Sequence, residues 1–215
     1  MSVSRRSLLA FVAAPLVLPA LATAAPMQGS MGQGGTDPKA ERALGAADAP
    51  VTVTEYFSLT CTHCAEFVRS TFPQVKSQLI DTGKLRYVFY DFPLDQVALT
   101  AAMVARSLPP ARYEPFAAAL LASQDRWAFA RGVNSTEELA KMAVLAGMDR
   151  ATFDKVIADT DLKNWFMQQR EDAEKSEGIN ATPTFVFVGK NGKKNRVEGS
   201  VGFDKFAQAV AQVAG

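Results

Sequence analysis

Cys61 and Cys64 are the only cysteines in a chain of 215 residues, and between them stand Thr62 and His63, the single histidine. Two thiols at this spacing can exchange a disulfide with another dithiol, provided one of them is a thiolate at neutral pH. The run Val51-Thr52-Val53-Thr54-Glu55-Tyr56-Phe57 before the pair reads as a strand, and Ala65 to Ile80 after it reads as a helix. Cys61 would then stand at a helix N-terminus, where unpaired backbone N–H groups and the positive end of the helix dipole favour the anion. Cys64 falls on the same helical face, within reach of Cys61. The expected division of labour is an exposed, low-pKa Cys61 and a buried Cys64 shielded by helix and sheet.

Three plainer readings compete. A structural staple closing four residues would constrain the unfolded chain by only about 2 kcal/mol. A structural zinc site wants four Cys or His ligands, and this chain owns three such side chains, all in one tetrapeptide. No metal and no cofactor are expected. Two buried free thiols would be hard to keep reduced in an exported protein.

The elements that must position the pair can be read along the chain. Arg5-Arg6, the apolar run Leu8 to Leu21 and Ala22-Thr23-Ala24 make residues 1–24 an export signal, with an apolar core too short to span a membrane. Ser4-Arg5-Arg6-Ser7-Leu8-Leu9 is also similar to a twin-arginine signal. Without Arg5 and Arg6 the chain has 21 basic and 22 acidic residues, a formal charge of −1. That balance argues against nucleic acid or an anionic membrane surface as partner. Residues 25–43, rich in Gly and Gln at their start, read as a flexible linker too short to be a dimerisation domain.

Order is expected from about Leu44. In the first strand Val51, Val53, Glu55 and Phe57 share one face, which puts a carboxylate on the apolar side just before the cysteines. Lys84 to Asp91 reads as a second strand. From Asp95 to Gly178 the period turns helical, with Ser135-Thr136-Glu137-Glu138 as a capping box. Residues 95–178 are therefore expected to form an inserted helical subdomain between two parts of one α/β domain, 44–94 and 179–215. Thr184 to Gly189 and Lys194 to Glu198 flank an Asn191-Gly192 hairpin turn, and Phe203, Phe206, Val210 and Val213 mark a C-terminal amphipathic helix.

This order, with Ala49-Pro50-Val51, Glu55-Tyr56-Phe57-Ser58, Cys61-x-His63-Cys64 and Thr182-Pro183-Thr184-Phe185, resembles the thioredoxin fold. More closely it resembles the DsbA family of exported disulfide oxidoreductases, from Leu44 to the C-terminus. The resemblance implies an α/β thioredoxin fold with an inserted all-helical subdomain, and a Cys61–Cys64 disulfide passed to reduced, unfolded substrate proteins through a mixed disulfide on Cys61. It implies that Pro183 is cis and faces the cysteines, that Thr182 offers backbone groups to substrate, and that His63 supports the thiolate. Glu55 matches the family's buried acid, able to exchange a proton with Cys64. Arg86 matches a basic partner in the next strand, against the alternative of a solvated arginine. A quinone-linked membrane oxidase of DsbB type would reoxidise the pair. Thr62 stands where well-known members have proline, which bears on redox potential rather than reaction class. A disulfide isomerase or reductase on the same fold, and a periplasmic peptide-binding or holdase module, are the alternatives. The absence of a dimerisation domain predicts a monomer in the periplasm.

Overall fold

The computed structural model describes residues 37–215. The expected export signal and most of the expected linker lie outside the described residues.

Five strands form one mixed sheet in the order β1-β3-β2-β4-β5. β1 (Arg42–Leu44) is the short edge, antiparallel to β3 (Leu85–Asp91). β2 (Val51–Phe57) runs parallel to β3 and antiparallel to β4 (Thr184–Gly189), which pairs in turn with β5 (Lys194–Glu198) through the expected hairpin. Because β2 is central, its residues are covered on both sides. Val51, Val53, Glu55 and Phe57 face the main core with Tyr87, Phe89, Phe185 and Phe187, while Tyr56 and Val186 face a smaller apolar cluster. A two-residue side-chain period on a central strand produces this division.

The N-terminal boundary of the domain lies earlier than the 25–43 linker reading placed it. Residues from Asp37 are already tied down: Arg42 is buried, its guanidinium donates to the carbonyls of Asp37, Ala40 and Arg106, and β1 completes the outer edge of β3. A sheet edge left open would present unpaired backbone groups, and this short strand satisfies them.

The expected helix from Ala65 to Ile80 is three pieces. α1 (Thr62–Ser70) ends at Thr71, α2 (Phe72–Val75) follows, and Lys76–Ile80 continues as a π-helical turn. Pro73 has no N–H to donate back to the preceding turn, so it starts a new helix rather than prolonging the old one. Phe67 of α1 and Phe72 of α2 stack on the sheet against Phe185 and Tyr87, and Phe206 of the last helix (Phe203–Ala214) closes the same aromatic layer.

Between β3 and β4 lie α3 (Gln96–Ser107), α4 (Pro110–Ala122), α5 (Gln124–Trp127), α6 (Ser135–Leu145), α7 (Arg150–Ile157) and α8 (Thr160–Ser176), and the last helix, already described, is α9, after β5. The inserted subdomain is all-helical as read from sequence, with α5 as an additional turn. The capping box at Ser135 is corrected by one residue. Asn134 caps α6, its Oδ1 accepting from the N–H groups of Thr136 and Glu137 at 3.0 and 3.3 Å, and Glu137 pairs with Arg150 of α7 instead of reaching back. Asn is as good a cap as Ser, and its extended backbone puts the amide oxygen under the first turn.

The insertion is bolted to the sheet by a buried ion pair. Arg106 Nε donates to Asp91 Oδ2 at 2.5 Å, Tyr113 Oη donates to the same oxygen at 2.9 Å, and the guanidinium also reaches the carbonyls of Phe89 and Ala40. β3, α3, α4 and the N-terminal segment thus meet on one carboxylate.

Candidate active site

Cys61 is the N-cap of α1. Its backbone is extended (φ −81°, ψ 120°), and its own sulfur accepts the Cys64 N–H at 3.4 Å, in the place where a serine or aspartate oxygen usually sits. The helix begins here because Cys61 O accepts the Ala65 N–H at 3.1 Å after the turn closed by Cys61 N on Ser58 O. β2 delivers the chain to this point, so the thiols stand at the C-terminal end of the central strand.

Cys61 is less open than the sequence suggested, at 8% exposed, while Cys64 is fully buried. The cover comes from the segment before β4. The Thr182–Pro183 peptide is cis, both residues are buried, and Thr182 O lies 3.3 Å from Cys61 Sγ, placed to accept the thiol hydrogen. Thr182 Oγ1 is also buried and has no hydrogen-bond partner among the described residues. When Cys61 loses its proton the sulfur can only accept, and this hydroxyl can turn onto it.

Both cysteines are free, and their pKa values are driven apart. The Cys61 thiol is held down at about 5. The largest cause is a hydrogen bond from the Cys64 thiol; burial opposes it, and the Thr182 side chain and the N–H groups of Cys64 and His63 add to it. Cys64 is pushed well above the ordinary thiol range, chiefly by burial, then by the bond it donates to Cys61 and by the charge of Glu55. One sulfur is thus an anion at neutral pH and the other a neutral thiol that supports it.

His63 contributes through its peptide N–H. Its imidazole is 70% exposed and lies 3.6 Å from Glu66, without a hydrogen bond to the Cys61 sulfur. The picture of an imidazole donating to the thiolate is therefore not what this geometry contains, because α1 turns the side chain outward. Thr62 is likewise exposed.

Glu55 is 2% exposed, between Phe89 and Phe185 in the sheet register. Oε2 accepts from Tyr87 Oη at 2.7 Å, and Oε1 has no partner among the described residues. Burial lifts its pKa to about 8 against the lowering effect of the Tyr87 bond, with Cys61 and Asp91 adding repulsion. Arg86 does not reach it. The two residues have opposite parity across β2 and β3, and Arg86 pairs with Glu41 on the outer face. Tyr87, one position along, is the partner instead.

Two further residues joined the site unannounced. Tyr87 read only as a β-former, and its role depends on the β2–β3 register. Gln124 of α5 is buried and donates to the carbonyls of Leu59 and Cys61; a lone glutamine between helical runs carries no periodic signal. Among the described residues no group of three or more His, Cys, Asp or Glu side chains comes together to hold a metal.

Comparison with known proteins agrees with this architecture. A thioredoxin family model matches residues 37–210. The crystal structure of Wolbachia pipientis alpha-DsbA1 superposes with a TM-score of 0.74 at 30% identity, covering 81% of this chain and 90% of that one. BdbD from Bacillus subtilis, in its oxidised form, shares the fold at a TM-score of 0.63 and 22% identity over 80% of this chain and 91% of that one. A Rickettsia bellii protein named as a protein-disulfide oxidoreductase is 29% identical over 147 residues, 68% of this chain and 56% of its own length. The chain spans about half the length of the curated relatives it matches. With the model match running over most of its length, and the dithiol, the cis proline and the helical insertion arranged as described, the chain belongs to the thioredoxin family and, within it, to the DsbA proteins.

Proposed function

We propose that the protein oxidises dithiols in exported substrate proteins, with Cys61–Cys64 as the disulfide it donates. The observation that carries this reading is the opposed state of the two sulfurs: Cys61 at the N-terminus of α1 with a pKa of about 5, Cys64 enclosed and pushed up. A substrate thiolate attacks Cys61, forming the mixed disulfide and breaking the Cys61–Cys64 bond. The electron pair goes to Cys64, whose sulfur is too poorly solvated to remain an anion, and Glu55 supplies the proton. At neutral pH the Glu55 carboxyl is protonated and can do so. The second substrate thiolate attacks the substrate sulfur of the mixed disulfide and expels Cys61, a good leaving group because its anion is stabilised. The substrate leaves with a disulfide and the protein is left as the dithiol.

Thr182 supports substrate binding in this scheme. β4 begins at Thr184, so Thr182 lies outside the sheet ladder, and its carbonyl faces only the Cys61 thiol. An extended substrate segment can add there as a short strand, with Pro183 holding the approach. The remaining parts of the reading are periplasmic residence after export by the twin-arginine or general route, a monomeric state and reoxidation by a quinone-linked membrane oxidase of DsbB type.

Two refolding assays test this. A reduced substrate with several cysteines should be oxidised by stoichiometric Cys61–Cys64 disulfide protein, while a scrambled, fully oxidised substrate should be rescued poorly. Efficient rescue of the scrambled substrate would replace the oxidase reading with that of an isomerase. Inertness toward both would leave only a binding module. Light scattering at micromolar concentration checks the monomer.

A further inference from the structure

Gln124 belongs to the helical insertion but holds the nucleophile's own peptide. It opens α5 immediately after the break at Ser123, is 6% exposed, and its Nε2 donates to Leu59 O at 2.8 Å and to Cys61 O at 3.0 Å. One amide group thus spends both its hydrogens on a single loop, the one joining β2 to α1. The Cys61 carbonyl is also the acceptor of the first bond of α1, from Ala65 N. Elsewhere the insertion grips this loop by side chains: Thr60 Oγ1 donates to Asp95 Oδ2 at 2.7 Å, and Asp95 in turn caps α3. Among the described residues only Gln124 grips the backbone on both sides of Thr60.

The orientation of that backbone decides what the sulfur faces. Cys61 Sγ accepts the Cys64 N–H at 3.4 Å and the His63 N–H also favours its anion, while the carbonyl of the same residue is turned to Gln124 of α5 and to Ala65. Without Gln124 the Leu59 carbonyl would lose its donor and the Cys61 carbonyl would keep only the Ala65 N–H, and the loop would turn to satisfy the orphaned group. We infer that Gln124 is a positioning residue for thiol–disulfide exchange, holding the Leu59–Cys61 loop so that backbone donors converge on the Cys61 thiolate. By this device the insertion acts on the redox chemistry itself, without touching the sulfur. The inference rests on the exchange reading above.

The test compares reduced wild type with Gln124→Met, which keeps length and loses both donors, and with Trp127→Phe. Trp127 donates from α5 to Leu120 O at 2.8 Å, so its loss loosens the same corner of the insertion while leaving the loop's two bonds alone. Thiolate absorbance is followed against pH, and the dithiol is equilibrated with glutathione disulfide, which takes the electron pair as two glutathione thiols are released. Gln124→Met should raise the Cys61 pKa by about one unit and move the equilibrium about tenfold toward the oxidised protein. Trp127→Phe should lower the melting temperature without moving either. Unchanged thiolate titration in Gln124→Met, or an equal shift in both variants, overturns the inference. If Gln124→Met does not fold, Gln124→Asn, one methylene too short to reach both carbonyls, is read by the same criteria. A wild type without a low-pKa thiol sinks the exchange reading and this inference together; a normal wild type with an unmoved variant sinks only the inference.

Discussion

The stability of the reduced protein should depend on pH in a way that the oxidised protein's does not. Cys61 titrates at about 5 in the fold against 9.0 for a free thiol, a depressed value. A group of this kind contributes stability that is fully present above the unfolded pKa and is lost as pH falls through the folded one. Below about pH 5 the contribution vanishes; above it, stability rises by about 1.4 kcal/mol per pH unit, reaching about 3 kcal/mol at pH 7. Cys61 keeps some solvent access, at 8% exposed, so screening takes part of this and about 3 kcal/mol is an upper value. In the oxidised protein the sulfur carries no charge, and the term is absent. The same 3 kcal/mol corresponds to about 60 mV of oxidising strength at pH 7. The assay is urea unfolding of both redox forms between pH 4.5 and 8, in a Glu55→Gln background so that the buried carboxyl does not titrate differently in the two. The reduced-minus-oxidised difference should be flat near pH 4.5 and climb thereafter. A difference that stays flat up to pH 8 would show that Cys61 is a thiol at neutral pH, and the account of converging donors would fall with it.

Other outcomes follow from the same geometry. Glu55 has a raised pKa, so its contribution to stability is complete below 4.5 and drains away as pH rises toward 8; wild type and Glu55→Gln should unfold alike at pH 5 and differ by about 4 kcal/mol in the variant's favour at pH 8, measured by urea midpoints in one redox state. Cys64→Ala should accumulate mixed disulfides with disulfide-bonded substrates on a non-reducing gel, the Cys61 thiolate attacking the substrate disulfide and releasing its other sulfur as a thiolate, and Cys61→Ala almost none; the reverse pattern would exchange the roles of the two sulfurs. His63→Leu should leave the Cys61 pKa close to that of wild type, because the contribution of His63 comes through its peptide N–H, which remains; thiolate absorbance returning to the ordinary range would assign the effect to the imidazole. Asp91→Asn should cost about 3–5 kcal/mol in chemical denaturation, since Arg106 is left buried beside a neutral group, while thiolate titration stays near wild type.

Much of the architecture was legible because its causes are local. Strand β2 shows its two-residue period in seven contiguous residues, the β4–β5 hairpin shows its turn, and the switch to helical spacing after Asp95 announces the insertion. The misreadings also have local reasons. Pro73 divides a helix whose apolar period runs on unbroken, and Asn134 competes with Ser135 for one cap. Arg42 looks like the end of a polar tether until β3 is seen to need an edge partner.

The amino-acid sequence by itself determined that two cysteines, alone in the chain, stand one helical turn apart behind a strand, with an acid on that strand's apolar face. Those relations are held within about ten residues, and backbone geometry alone enforces them. Only the tertiary structure decided which groups meet the sulfurs. Thr182 comes to Cys61 from 121 positions away and Gln124 from 63, and Tyr87 rather than Arg86 reaches Glu55 from 32. Each depends on strand register or on how the insertion docks, and a shift of one residue in either would present a different side chain. The same packing pushes Cys64 up, because desolvation belongs to the assembled surroundings, whereas Cys61 is lowered first by its neighbour Cys64 against the effect of burial, with Thr182 adding to it.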